Sequence, residues 1–151
     1  MNTNPLHPRR RVRPVAWIVA ALVVSLPAAR AATREATLAA IHQMENPRNV
    51  ARPGPRGELG AYQFRAQTWR MHTTAPFAHA LDRAASDEIA VRHYEWLRAN
   101  LERAGRPATP YAIGLAWNGG LEAALRGRSP RAAHAYAERV ANLTAALVAE
   151  R

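Results

Sequence analysis

The sequence predicts a mainly α, single-domain protein with one structured loop. Three observations carry this expectation. Apolar residues recur at spacings of three and four in four separate segments, the period of a helix face. Residues 46–60 hold six Gly or Pro in fifteen positions and cannot continue a helix. No run of strand period and useful length interrupts the helical pattern. The 151 residues allow one domain, and a composition that is 48% hydrophobic and 21% charged excludes wholesale disorder.

The N-terminus reads Arg9-Arg10-Arg11-Val12-Arg13, then an apolar run over residues 15–26, then Ala29-Arg30-Ala31. A basic region, a short apolar stretch and a small-x-small site form the pattern of a secretory signal peptide. Residues 1–31 are therefore expected to be an export signal, cut before Ala32, with residues 32–151 as the working domain in the periplasm or outside the cell. An uncleaved anchor is the alternative. A membrane span needs roughly 20 apolar residues, and this run is shorter, so no stable span is expected once the signal is removed.

Removing residues 1–31 takes five of the 21 basic residues (Arg9, Arg10, Arg11, Arg13 and Arg30) and none of the 11 acids, so the net charge falls from +10 to +5. The remaining arginines are scattered singly and form no nucleic-acid stripe. A small basic DNA binder is thus disfavoured. The absence of cysteine excludes a disulfide scaffold, a thiolate zinc site and a cysteine nucleophile.

Within the domain, Thr33 is expected to cap a first helix running to about Glu45, with Leu38, Ile41 and Glu45 on one face. Tyr62-Gln63-Phe64 reads as a short extended or turn segment, and residues 65–73 as a short helix. Ser86 is a candidate cap for a long helix ending near Ala104-Gly105, with Ile89, His93, Leu97 and Leu101 as its stripe and Tyr94 beside it. Thr109-Pro110 is a cap followed by Pro at the first helical position, and that helix stops at Asn118-Gly119-Gly120. A helical turn over residues 121–125 ends at Gly127. Ser129-Pro130 repeats the cap-plus-Pro start, and Tyr136, Val140, Leu143 and Leu147 line the last helix.

Glu45 stands out. It continues the apolar stripe of the first helix, where a carboxylate is disfavoured, and it sits at the C-terminal end, where the helix dipole repels negative charge. Both effects raise a carboxyl pKa. An acid kept protonated near neutral pH is what general-acid cleavage of a glycosidic bond requires. On periodicity alone, a surface Glu at a frayed helix end paired with an Arg is the simpler reading.

The residues C-terminal to Glu45 shift that balance. In order come Gly57-Glu58-Leu59-Gly60-Ala61-Tyr62-Gln63-Phe64, then Ala66-Gln67-Thr68-Trp69, then Trp117-Asn118-Gly119-Gly120, then Tyr136. This series resembles the transglycosylase domain of the soluble lytic transglycosylase (SLT) family, within the lysozyme-like superfamily, over about residues 33–147. The resemblance implies a lysozyme-like fold and a lytic transglycosylase acting on peptidoglycan glycan strands. Such an enzyme cleaves the MurNAc–GlcNAc β-1,4 bond with a single acid and base and leaves 1,6-anhydro ends. It further implies Glu45 as that acid, Tyr62 and Gln63 lining the cleft, Asn118 on the opposite wall, and Tyr136 reaching the same acid from the last helix.

General chemistry is compatible with these roles. Sugar C–H faces pack on rings such as Tyr62 and Trp117, and sugar hydroxyls need amide partners such as Gln63 and Asn118. Core packing is the competing role for Tyr62 and Trp117, and turn or cap chemistry for Gln63 and Asn118. The sequence departs from the family at four places, one of them Ala132 and Ala133, where the family has an acidic residue a few positions before the late Tyr. Asn46 follows the acid where the family has Ser, which leaves Asn46 to replace the bond that Ser would make to Glu45. The loop after it is some three residues shorter. Trp117 stands in place of Tyr, so a phenol near the acid must come from Tyr136 or Tyr111.

A conventional hydrolase wants a second carboxylate. Glu58 is the one candidate inside the cleft motif, where a surface loop charge is the alternative. Asp82 and Asp87 read as cap and dipole residues, and Glu95, Glu102 and Glu138 as solvated. A hydrolytic lysozyme using Glu58 and a non-catalytic wall-binding module therefore remain as alternatives. The histidines show no metal-ligand spacing, His93 reads as a packed helix residue, and neither metal nor cofactor is expected. The expected state is a monomer.

Overall fold

The computed structural model describes residues 17–150, with side chains from residue 29 onward, residue 32 excepted. The basic residues 9–13 and the side chains of the apolar run, on which the expected export signal rests, lie outside the described residues. The described residues form six α-helices in order: α1 (Trp17–Glu45), α2 (Ala66–His72), α3 (Arg83–Arg103), α4 (Pro110–Gly119), α5 (Leu121–Leu125) and α6 (Arg131–Ala149), with a 3-10 turn at Phe77–Leu81 before α3. Among the described residues there is no strand, only one isolated antiparallel bridge between Leu59 and Phe64. None of the described helices is long and apolar enough to cross a membrane.

The core follows the helical stripes. Leu38 and Ile41 of α1 are buried, as are Ile89, His93, Tyr94, Leu97 and Leu101 of α3, Ile113 of α4 and Val140 of α6. Leu143 and Leu147 are partly buried and pack against this cluster. Helix α6 lies against both α1 and α4. Gly114 permits the close approach of α4: a Cβ there would stand 3.2 Å from the Ala137 Cα and 3.2 Å from the Val140 Cβ.

Three expected helix starts are corrected. Helix α1 runs through Thr33, whose hydroxyl donates to the Ala29 carbonyl at 2.9 Å instead of capping. The Ala-rich sequence around it favours helix strongly enough to make a start there unnecessary. Helix α3 begins at Arg83 and is capped by Asp82, whose Oδ1 accepts from the Ala85 N–H at 2.8 Å. Ser86 lies inside the first turn, fully buried, beneath Gly60. Helix α6 has Pro130 at its N-cap with no side-chain cap bond, and the Ser129 hydroxyl is buried without a partner. Thr109, by contrast, caps α4, with Pro110 at the first position.

The Gly- and Pro-rich segment is a braced loop. The Asn46 side chain is buried and ties it down, donating to the Val50 and Gly60 carbonyls at 3.1 and 3.2 Å and accepting from the Val50 N–H at 2.9 Å. Leu59 and Phe64 exchange backbone hydrogen bonds at 3.0 and 2.9 Å, closing a tight turn over residues 60–63. Gly60 has φ +80°, and a Cβ there would collide with the Ala80 carbonyl oxygen at 1.7 Å. Only glycine fits both demands.

Candidate active site

Residues of the loop, the turn, the N-terminal end of α2 and the C-terminal end of α4 line a cleft of about 630 Å³. Glu45, the last residue of α1, lines it with them. The Tyr136 hydroxyl of α6 donates to Glu45 Oε1 at 2.8 Å. Burial pushes the Glu45 carboxyl above the usual carboxylate range, the Tyr136 bond pulls it partly back, and the nearby Glu58 charge raises it again. Among the described residues, Glu45 Oε2 has no hydrogen-bond partner.

Tyr62, Gln63, Trp117, Asn118 and Glu58 all line this cleft with Glu45. Their situations differ. The Tyr62 ring is buried, and its hydroxyl donates to Asp87 Oδ1 at 2.8 Å. Burial and that carboxylate push the Tyr62 phenol well up, so its polar end is committed to α3. Asp87 thereby does more than complement a helix dipole. Gln63 adopts φ +46°, a left-handed conformation uncommon for a residue with a side chain, and its Nε2 donates to the Gly60 carbonyl at 3.0 Å. Asn118 is exposed at the rim, where α4 runs out into Gly119 and Gly120.

The Glu58 side chain is only 14% exposed. Its Oε2 accepts the Arg56 N–H at 2.8 Å, and Arg65 Nε stands 3.8 Å from its Oε1. Burial alone would raise the Glu58 carboxyl, but the Arg56 N–H and the charges of Arg65 and Arg56 hold it below the ordinary range. The two carboxyls of the cleft are thus pushed in opposite directions.

The phenol that Trp117 does not supply comes from Tyr136. The Tyr111 hydroxyl pairs instead with His134 Nδ1 at 2.6 Å. Asn46 makes no bond to Glu45, contrary to the expected replacement, because its amide is fully engaged by Val50 and Gly60.

Sequence reading missed part of the cleft wall. His93 packs as expected, but it also lines the cleft, meeting Trp117 edge-on at 4.9 Å and stacking on Trp96 at 5.7 Å. Its Nδ1 pairs with His72 Nε2 at 2.9 Å. Burial and the His72 charge lower the His93 pKa to about 3, so the ring is neutral under ordinary conditions. The membership of His93 in the α3 stripe was legible; its pairing with a residue 21 positions away was not. No group of three or more potential metal ligands occurs among the described residues. In comparisons with known proteins, the chain matches no family model, no curated protein and no solved structure.

Proposed function

We propose that this protein is a lysozyme-like enzyme that cleaves the glycan strands of peptidoglycan as a lytic transglycosylase. One observation carries the reading: a single carboxyl, Glu45, is held above the ordinary range at the wall of an open cleft, with a phenol hydroxyl on one oxygen and the other oxygen free for a ligand. Protonated Glu45 gives its proton to the glycosidic oxygen as the C1–O bond breaks, and the leaving sugar departs as an alcohol. The N-acetyl carbonyl of the same ring supports the positive charge at C1. The 6-hydroxyl of that ring then attacks C1, and its proton returns to Glu45, which regenerates the acid without consuming water. Tyr136 stabilises the carboxylate that exists between the two proton transfers.

A hydrolytic lysozyme is the second reading, favoured by one feature. Glu58 shares the cleft, and its carboxyl is pushed below the ordinary range while that of Glu45 is pushed above it, the separation that two-carboxylate glycosidases use. Mass spectrometry of the products released from sacculi separates the two, since an anhydro end lacks one water relative to a hydrolysed reducing end. The expected result is anhydro-ended fragments that disappear with Glu45→Gln. Reducing ends that depend on both Glu45 and Glu58 would establish hydrolysis, and binding to sacculi without release would leave only a wall-binding module.

A further inference from the structure

The loop that borders the cleft carries Arg52 and Arg56. Both are exposed, and neither is closed into an ion pair among the described residues, although the Arg56 charge is felt by the Glu58 carboxyl. On helix α3, Arg83, Arg92 and Arg98 are paired with Asp87, Glu88, and Glu95 and Glu102, while Arg103 donates to Asn100 and takes part in no ion pair among the described residues. Nearby, Arg65 has only the distant contact to Glu58.

Where these arginines stand matters more than their number. A second depression of about 400 Å³ adjoins the main cleft, and the two share Glu45, Pro55 and Gln63. The acid therefore borders both depressions, one on either side of the ridge formed by Pro55 and Gln63. Arg56 and Arg65 line the larger, and Arg52 lines the smaller. The backbone beneath them is braced by Asn46 and by the Gly54 N–H, which donates to the Glu58 carbonyl at 2.8 Å, while Pro53 and Pro55 stiffen it further. The braced backbone removes the loop's share of the ordering cost, while the exposed side chains still lose rotamer freedom when their guanidinium groups grip a planar carboxylate.

We propose that the cleft and its adjoining depression take a carboxylate-bearing glycan strand, with Arg56 receiving a carboxylate on one side of Glu45 and Arg52 receiving one on the other. This rests on the reading of the cleft as a glycan site. The carboxylates of a peptidoglycan strand have two sources, the peptide stems and the lactyl group that remains when the stems are removed.

The test is binding by the full chain carrying Glu45→Gln, which prevents turnover. Three probes of matched length are compared at low and raised salt: stem-bearing glycan strands, amidase-treated strands that keep only the lactyl carboxylate, and neutral chitooligosaccharide. Two exposed ion pairs predict about tenfold tighter binding of stem-bearing strands than of chitooligosaccharide at low salt, shrinking as salt rises. Adding Arg52→Gln and Arg56→Gln should bring the two affinities together. Treated strands that bind like stem-bearing ones identify the lactyl carboxylate, and treated strands that bind like chitooligosaccharide identify the stems. Equal binding of charged and neutral probes, a preference that survives the two substitutions, or no binding of any probe overturns the proposal. Charge-selective binding in a protein that releases nothing from sacculi would keep this inference and defeat the cleavage reading. Cleavage with no charge preference would do the reverse.

Discussion

The Tyr136 hydroxyl donates to Glu45 Oε1 at 2.8 Å across 91 residues of sequence. This bond is the one interaction that favours the ionised form of a carboxyl which burial and a neighbouring acid both disfavour. Tyr136 itself is buried, and its own phenol is pushed far up by burial and by the Glu45 charge, so it acts as a donor and not as an acid.

Tyr136→Phe removes that donor, and the Glu45 pKa rises further. Glu45 then stays protonated to higher pH, so the alkaline limb of the pH–rate profile moves upward. A hydrogen bond to a charged group is worth about 1.5–3 kcal/mol, which corresponds to a loss at the optimum of about tenfold to hundredfold. A complete pH profile of glycan release checks both effects. An alkaline limb that stays in place or moves down would show that Tyr136 does not control this acid.

Glu45→Gln should stabilise the fold while abolishing activity. A carboxyl whose pKa is raised on folding contributes its full stability below its unfolded value, and that contribution is lost as pH rises through the folded pKa. The neutral amide has no such loss. The variant should therefore melt higher than the parent at pH 7–8, and the gap should close in acid, below the ordinary carboxyl value of 4.5. Thermal denaturation at several pH values is the measurement.

Gly60 and Gly57 give a matched pair. Both have positive φ, +80° and +78°, but a Cβ at Gly57 meets nothing within 4 Å while one at Gly60 strikes the Ala80 carbonyl. Gly57→Ala should cost about 1–2 kcal/mol from backbone strain alone. Gly60→Ala should cost distinctly more, because backbone at the base of the turn must shift. Urea denaturation of both variants compares them directly.

His93 sets an acid limit on stability. Its pKa falls from 6.5 to about 3 on folding, so between those values the unfolded chain carries a proton that the folded chain lacks. Stability is full above the unfolded pKa and falls as pH drops, by about 1.4 kcal/mol per pH unit. His93→Phe keeps an aromatic ring beside Trp117 and removes the titrating group. Its stability should depend on pH less steeply, by about one proton, across this interval.

Much of the helical framework was legible because burial imposes a period. Leu38, Ile41 and Glu45 on α1, and Ile89, His93, Leu97 and Leu101 on α3, follow the face that the core demands. Helix starts were less legible. Ser and Thr are good caps in isolation, yet Thr33 lies within a strong helix, Ser86 is a small residue buried beneath Gly60, and Ser129 precedes a Pro that takes the N-cap itself. At the site, Glu45 stood out as a carboxylate on an otherwise apolar face. The partners Tyr62–Asp87 and His72–His93 join separate elements and leave no local pattern. The role of Asn46 was misread for a related reason: which of two neighbours an amide engages depends on how the loop folds back, and here that loop claims all of it.

The packing of α1 against α6 sets the timing of the site. Glu45 ends the first described helix and Tyr136 belongs to the last described one, so the acid and its donor exist as a pair only once those two helices have docked. A chain emerging N-terminus first holds Glu45 without its hydroxyl donor until α6 arrives. Loss of α6 through truncation or proteolysis would remove that hydroxyl. The Glu45–Tyr136 pair is in this way a readout of whether the first and last described helices have docked.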